Sequence, residues 1–148
     1  MSKIKIYSLL AISVAAFVFT SCDKTDGTSV VPRFDKITYE PELPSVGDSI
    51  TLTAHQSMHG KLINSTTYKW SVTYYNDATG RDTTEYLPQQ EVVYDYIGGP
   101  DPQIGYRIPA TTSRKIGVHI SAFYSLSGQT ELGQIFGQAN CSGSINLK

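Results

Sequence analysis

Three stretches of the chain alternate apolar and polar residues with a period of two, the spacing of a strand that buries one face. In Ser49-Ile50-Thr51-Leu52-Thr53-Ala54 the apolar set is Ile50, Leu52 and Ala54. Across residues 67–74 it is Tyr68, Trp70, Val72 and Tyr74, and across residues 115–125 it is Ile116, Val118, Ile120, Ala122 and Tyr124. Two such rows facing each other make a sandwich core, and the third is long enough for a central strand. Trp70, the single tryptophan, falls in the middle of its row, which predicts packing across the sandwich against Val118 and Ile120.

Weaker signals fill the rest. Residues 34–39 read as a first strand with Ile37 and Tyr39 on one face, stopped by Pro41 and Pro44. Residues 55–65, with Gly60 and Asn64 and little alternation, read as a loop crossing between sheets. Asn76-Asp77-Ala78-Thr79-Gly80 is a turn into a hairpin strand over residues 81–86, ended by Pro88. Residues 91–97 are apolar on both faces until Gly98-Gly99-Pro100 breaks the chain, and Ile104, Tyr106 and Ile108 alternate in a short strand. After a turn at Ser127-Gly128, Gly-Gln recurs at 128, 133 and 137 in what reads as a long connection, and Ile145 and Leu147 close the chain as a short strand. No helical run with capping signals competes beyond the first residues. The expectation is an all-β sandwich of seven to eight strands.

The N-terminus follows a different pattern. Lys3 and Lys5 precede an apolar run over residues 6–19, ending in Thr20-Ser21-Cys22. At 14 residues the run is shorter than the roughly 20 a membrane-spanning helix needs, so it reads as a cleaved export signal. Thr20 and Ser21 before Cys22 resemble the lipobox of a bacterial lipoprotein of the relaxed form found in Bacteroidetes, with Phe19 where the strict form has Leu. The resemblance implies that Cys22 carries the lipid and that the protein is anchored in the cell envelope, at the outer membrane. An ordinary cleavage site near Cys22 is the alternative. The organisation expected is a signal over residues 1–21, a polar tether over 22–32 and one domain over 33–148.

Removal of Lys3 and Lys5 takes the formal net charge from −1 to about −3, which leaves no basic excess for nucleic acid. With Cys22 lipidated, Cys141 has no disulfide partner, so a hydrophobic core has to hold the fold. The strand pattern resembles an immunoglobulin-like domain, closest to the PKD-like variant of exported bacterial proteins. The residues that carry it are Val46-Gly47-Asp48-Ser49-Ile50-Thr51-Leu52, Tyr68-Lys69-Trp70-Ser71-Val72 and Ile116-Gly117-Val118-His119-Ile120-Ser121-Ala122. The likeness implies a spacer, adhesive or binding module. By resemblance to the short Bacteroidetes acceptor sequence, Asp48-Ser49-Ile50 and Asp82-Thr83-Thr84 mark Ser49 and Thr83 for O-glycosylation, with both hydroxyls expected to face solvent.

Chemistry is sparse. His55 and His59 lie four apart, but at a strand end and in a loop, with no Cys or carboxylate at ligand spacing, and His119 alternates outward. No Gly-x-Ser-x-Gly elbow occurs, Asp95, Asp101 and Glu91 sit beside a turn, and Cys141 has no neighbouring base. No cofactor, metal or catalytic residue is expected. Nine of the ten tyrosines lie beyond the signal, and Tyr75, Tyr86, Tyr96 and Phe123 alternate outward, where a ring can stack on a sugar or anchor a protein. The reading is a monomeric, non-enzymatic, lipid-anchored module that binds other envelope proteins, or alternatively glycans.

Overall fold

The computed structural model describes residues 27–93 and 99–148, and no helix occurs among them. Eight strands follow in order: β1 (Arg33–Glu40), β2 (Ser49–Met58), β3 (Ile63–Asn76), β4 (Arg81–Tyr86), β5 (Gln90–Val93), β6 (Gln103–Arg107), β7 (Ile116–Leu126) and β8 (Phe136–Ile145). One sheet has the order β1-β2-β6, the other β4-β3-β7-β8, with β5 also on β3. All strand pairs are antiparallel. Strands β4 and β5 share one edge of β3, with Tyr86 opposite Ser71 and Gln90 opposite Tyr68. The chain changes sheet after β2, β5 and β6, the interleaving of an immunoglobulin-like sandwich.

The three alternating rows are the core. Ile50, Leu52 and Ala54 of β2 face Tyr68, Trp70, Val72 and Tyr74 of β3 and Ile116, Val118, Ile120, Ala122 and Tyr124 of β7, and all are buried. Trp70 stands beside Ile120, and Val72 beside Val118, within one sheet. Packing of Trp70 across the sandwich against Val118 and Ile120 is thereby corrected: those residues flank it, and its ring looks toward the three-stranded sheet. Its indole N–H donates to Gln90 Oε1 at 3.2 Å, and Gln90 Nε2 donates to the Gln103 carbonyl of β6 at 2.9 Å. One side chain thus satisfies a buried donor and ties the two sheets together. Gln90→Ala leaves the indole N–H without its acceptor and is expected to cost about 1 to 3 kcal/mol, read as a lower urea midpoint at unchanged slope.

Two expected loops are shorter than the sequence suggested. Strand β2 continues to Met58, because β1 pairs along it as far as Arg33 opposite Met58, and only residues 59–62 connect β2 to β3. The expected connection over residues 128–142 contains most of β8, which runs unbroken to Ile145 along the full length of β7. Its inward positions are Gly137, Ala139, Cys141, Gly143 and Ile145, small because β1 and the segment before it lie directly over them. A Cβ on Gly143 would stand 3.0 Å from Ile37 Cβ, and one on Gly137 would collide with the methyls of Val31. In β1 the register shifts between Phe34 and Lys36, a bulge at Asp35 that turns Phe34, Ile37 and Tyr39 all toward the core.

The domain begins earlier than residue 33. Val30 and Lys61 exchange backbone hydrogen bonds at 3.0 and 2.9 Å, and Ser29 N–H donates to the Gln129 carbonyl at 2.8 Å. Ser29 Oγ donates to the Leu62 carbonyl and accepts from Gly128 N–H, and Ser29 and Pro32 are buried. Of the tether expected over residues 22–32, the part from Thr28 onward is docked on the sandwich. Cys22 and residues 1–21 lie outside the described residues.

Candidate functional surface

The outer face of the five-stranded sheet gathers most of the outward candidates. Register fixes its rungs. Tyr86, Ser71, His119 and Ser142 form one rung; Lys69, Ser121 and Asn140 the next; Glu91, Thr67, Phe123 and Gln138 a third. Period-two alternation behind an apolar inner row leaves these positions to hydroxyls, amides and rings. They bond one another: His119 contacts Ser142 Oγ at 2.9 Å and Ser121 Oγ at 3.1 Å through its two ring nitrogens, and Thr73 and Thr84 hydroxyls meet at 3.0 Å. The first rung carries no acid or base other than His119, while Lys69 stands in the second and Glu91 in the third, one cation against one acid.

Tyr86 is 85% exposed and Phe123 41%, and the Lys69 ammonium lies 5.3 Å from the Phe123 ring centre. Strand geometry puts these two rings about 16 Å apart, two strands across and four residues along. Tyr75 points outward as expected, but Arg114 stacks over its ring at 4.1 Å and half buries it. Tyr96 lies outside the described residues. Phe136, exposed at the end of the same face, was hidden in the sequence by the glycines around it. Ser49 is exposed on the outer face of the other sheet. Thr83 is not: opposite the inward Tyr74, it lies on the inner side of β4 and is partly covered, which corrects the expectation that its hydroxyl faces solvent.

On that inner side Glu85 accepts the Tyr74 hydroxyl at 2.8 Å. The bond to Glu85 is the main cause that raises the Tyr74 phenol above its usual 10.0, with burial and the carboxylate charge adding to it. Burial pushes Tyr106 of β6 up further, and the Glu85 charge acts the same way. Unfolded tyrosines lose their protons near pH 10, where these two still hold theirs, so the unfolded state is favoured as pH rises past that point. The contribution of these two tyrosines is therefore expected to be fully present below about pH 9 and to be lost as pH rises above 10, and Tyr106→Phe should flatten the fall in urea midpoints taken across that range.

A second group sits on the outer face of the three-stranded sheet. His55 contacts Thr38 Oγ1 at 2.7 Å through Nε2 and Asp101 Oδ2 at 3.2 Å through Nδ1, while Asp101 Oδ1 accepts Gln56 N–H at 2.9 Å. Against the expectation of a strand-end histidine, His55 lies inside β2, half-buried and in contact through both ring nitrogens. Separations of 17 and 46 residues kept this contact out of sight in the sequence. The order hydroxyl, imidazole, carboxylate is that of a hydrolase triad, and a polar hollow of about 500 Å³ lined by Thr38, Glu40, Glu42, Thr53 and Gln103 lies beside it. In the fold it fastens residues 99–101 to β2, helped by Gln56 Nε2 on the Gly99 and Pro100 carbonyls and by His59 on the Gly99 carbonyl at 3.0 Å.

Among the described residues no three His, Cys, Asp or Glu side chains converge as for a metal ion. Cys141 is a free, half-buried thiol on the inward side of β8, and burial raises its pKa, which keeps it protonated and a poor nucleophile. A groove of about 650 Å³ lies between the docked N-terminal segment and residues 130–140.

No family model matches the chain, and no curated protein matches it. Among solved structures it is similar to the sporulation control protein Spo0M of Bacillus subtilis, at 16% sequence identity over 79% of this chain and 49% of that one, with a TM-score of 0.40. The chain spans about half the length of that protein, and a likeness this loose carries no reading of function.

Proposed function

We propose that the protein is an exported, lipid-anchored module of the cell envelope that binds without catalysis, and that its ligand is a glycan chain. The observation that carries this reading is the outer face of the five-stranded sheet. A hydrogen-bonded array of Ser, Thr, Asn, Gln and His side chains is flanked by the exposed rings of Tyr86 and Phe123. Hydroxyl and amide groups match the donors and acceptors of a sugar edge, and a ring matches its apolar face. The spacing of the two rings suits an oligosaccharide lying along the sheet. Lys69 is balanced by Glu91 two residues along the sheet, so the face offers no basic excess to a polyanion.

The test is glycan-array binding followed by calorimetry on the best hit. Tyr86→Ala and Phe123→Ala are each expected to weaken binding about fivefold, from roughly 1 kcal/mol of ring contact, with the melting temperature unchanged. Retention of full affinity in both variants sinks the assignment of this face. The non-catalytic part stands against the Thr38–His55–Asp101 arrangement: turnover of p-nitrophenyl acetate that disappears in both Thr38→Val and Asp101→Asn would overturn it. The anchor is tested separately, since Cys22→Ala should shift the protein from the membrane to the soluble fraction, and a wild-type mass without lipid on Cys22 would refute it.

A further inference from the structure

One pole of the sandwich gathers five exposed apolar side chains among the described residues. The start of β1, the end of β2, the start of β3, the end of β7 and the start of β8 all lie there, since Arg33 pairs with Met58, Ile63 with Leu126 and Ser125 with Phe136. At this pole Val30, Met58, Leu132, Ile135 and Phe136 are exposed, Leu132 at 85%, in chain segments held to one another by backbone bonds. The opposite pole exposes Leu43 and Val46. Isolated apolar side chains are ordinary on a surface, but a cluster at one end marks a contact.

The chain itself says what lies opposite. The docked segment enters the fold at this pole, with Thr28 against Gln129 and Val30 against Lys61. Five residue steps separate Gly27 from Cys22, which reach at most about 18 Å even when fully extended. With Cys22 lipidated, an anchor this short holds this pole against the bilayer surface and keeps the far pole away from it.

We propose that this pole is a membrane-contact surface, with Leu132, Ile135, Phe136, Met58 and Val30 seated in the lipid interface; the inference rests on the lipid anchor at Cys22. The exposed cation Arg33 borders the patch, where its head reaches lipid phosphates while its stem lies along apolar surface, and Glu131 is the one acid in the loop carrying Leu132. Contact at this end orients the domain, so that the outer face of the five-stranded sheet stands upright from the membrane and open at its side.

The protein purified from the host membrane after processing at Cys22 is reconstituted in phosphatidylcholine vesicles with and without brominated acyl chains, as the wild type and as Leu132→Trp and Leu43→Trp. Trp70 is buried in all three and serves as a constant background. The Trp at 132 is expected to emit further to the blue on vesicles and to be quenched several-fold more strongly by brominated lipid than the Trp at 43. Hydrogen exchange on the unsubstituted chain gives a reading free of any folding defect: amides of residues 131–136 should slow when vesicles are added. Mass spectrometry of the same sample reports the lipid on Cys22. Equal, weak quenching at 132 and 43 with unchanged exchange overturns the membrane contact, even where Cys22 carries its lipid, and quenching at 132 upholds it whatever the mass at Cys22. A blue shift that depends on protein concentration and not on vesicles would instead assign the pole to a second copy of the chain, and overturn the proposal.

Discussion

Trp70→Ala is expected to lower the unfolding free energy by about 3 to 5 kcal/mol, the cost of deleting a large buried ring and leaving a cavity. Trp70 is 1% exposed, lies beside Ile120 and donates its N–H to Gln90, so the apolar contact and the hydrogen bond that orients Gln90 are lost together. A domain of this size has roughly 5 to 15 kcal/mol in total, which puts the variant near the edge of folding. Thermal denaturation should show a drop of more than about 10 °C, or no cooperative transition. A drop of one or two degrees would place Trp70 on a surface and undo the register of β3.

Gly60→Val comes next in size. Gly60 sits at φ +78°, where a β-branched side chain is strained by about 1 to 2 kcal/mol. A Cβ there would also stand 2.6 Å from the Val30 carbonyl oxygen and 2.8 Å from Pro32 Cδ. Backbone and a rigid ring cannot step aside cheaply, so the segment before β1 has to leave its berth and give up the Val30–Lys61 bonds. The combined loss is expected at about 2 to 3 kcal/mol in urea unfolding. Native-state proteolysis provides the specific sign: cleavage near residues 28–33 should appear in the variant before any cut in the sheets, and its absence would mean that the segment is held by something other than the close approach at Gly60.

The rows of β2, β3 and β7 were legible because each is a strict alternation of branched or aromatic side chains against Ser, Thr and Lys. The hairpin strand 81–86 was legible in its turn chemistry, and the outward directions of Tyr86 and Phe123 followed from the same parity. Strand β8 escaped because its buried positions carry Gly, Ala and Cys. The apolar matter that fills that space belongs to Val31 and Ile37 of another segment, and alternation reads only a strand's own side chains. The same parity puts Thr83, three residues before Tyr86, on the inner side, so the resemblance that turned its hydroxyl to solvent ran against the alternation of its own strand. The outer face could be foreseen as polar, but not as a bonded lattice, since His119 meets Ser142 only once β7 and β8 are paired. Thr38, His55 and Asp101 are three unremarkable residues until β1, β2 and the chain before β6 come together.

The seating of β1 over the small residues of β8 has a consequence for the order in which the molecule can be made. A chain delivered N-terminus first can pair β1 with β2 early, but the second edge of β3 waits for β7, some fifty residues later, and the inner side of β1 waits for β8. Long-range pairing of this kind is slow, and unpaired strand edges invite association while they wait. Delivery therefore carries a window, closing only after Ile145 has arrived, in which Ile37 and Val31 lack the surface they were shaped to cover; a chain truncated before β8 would remain in that window permanently.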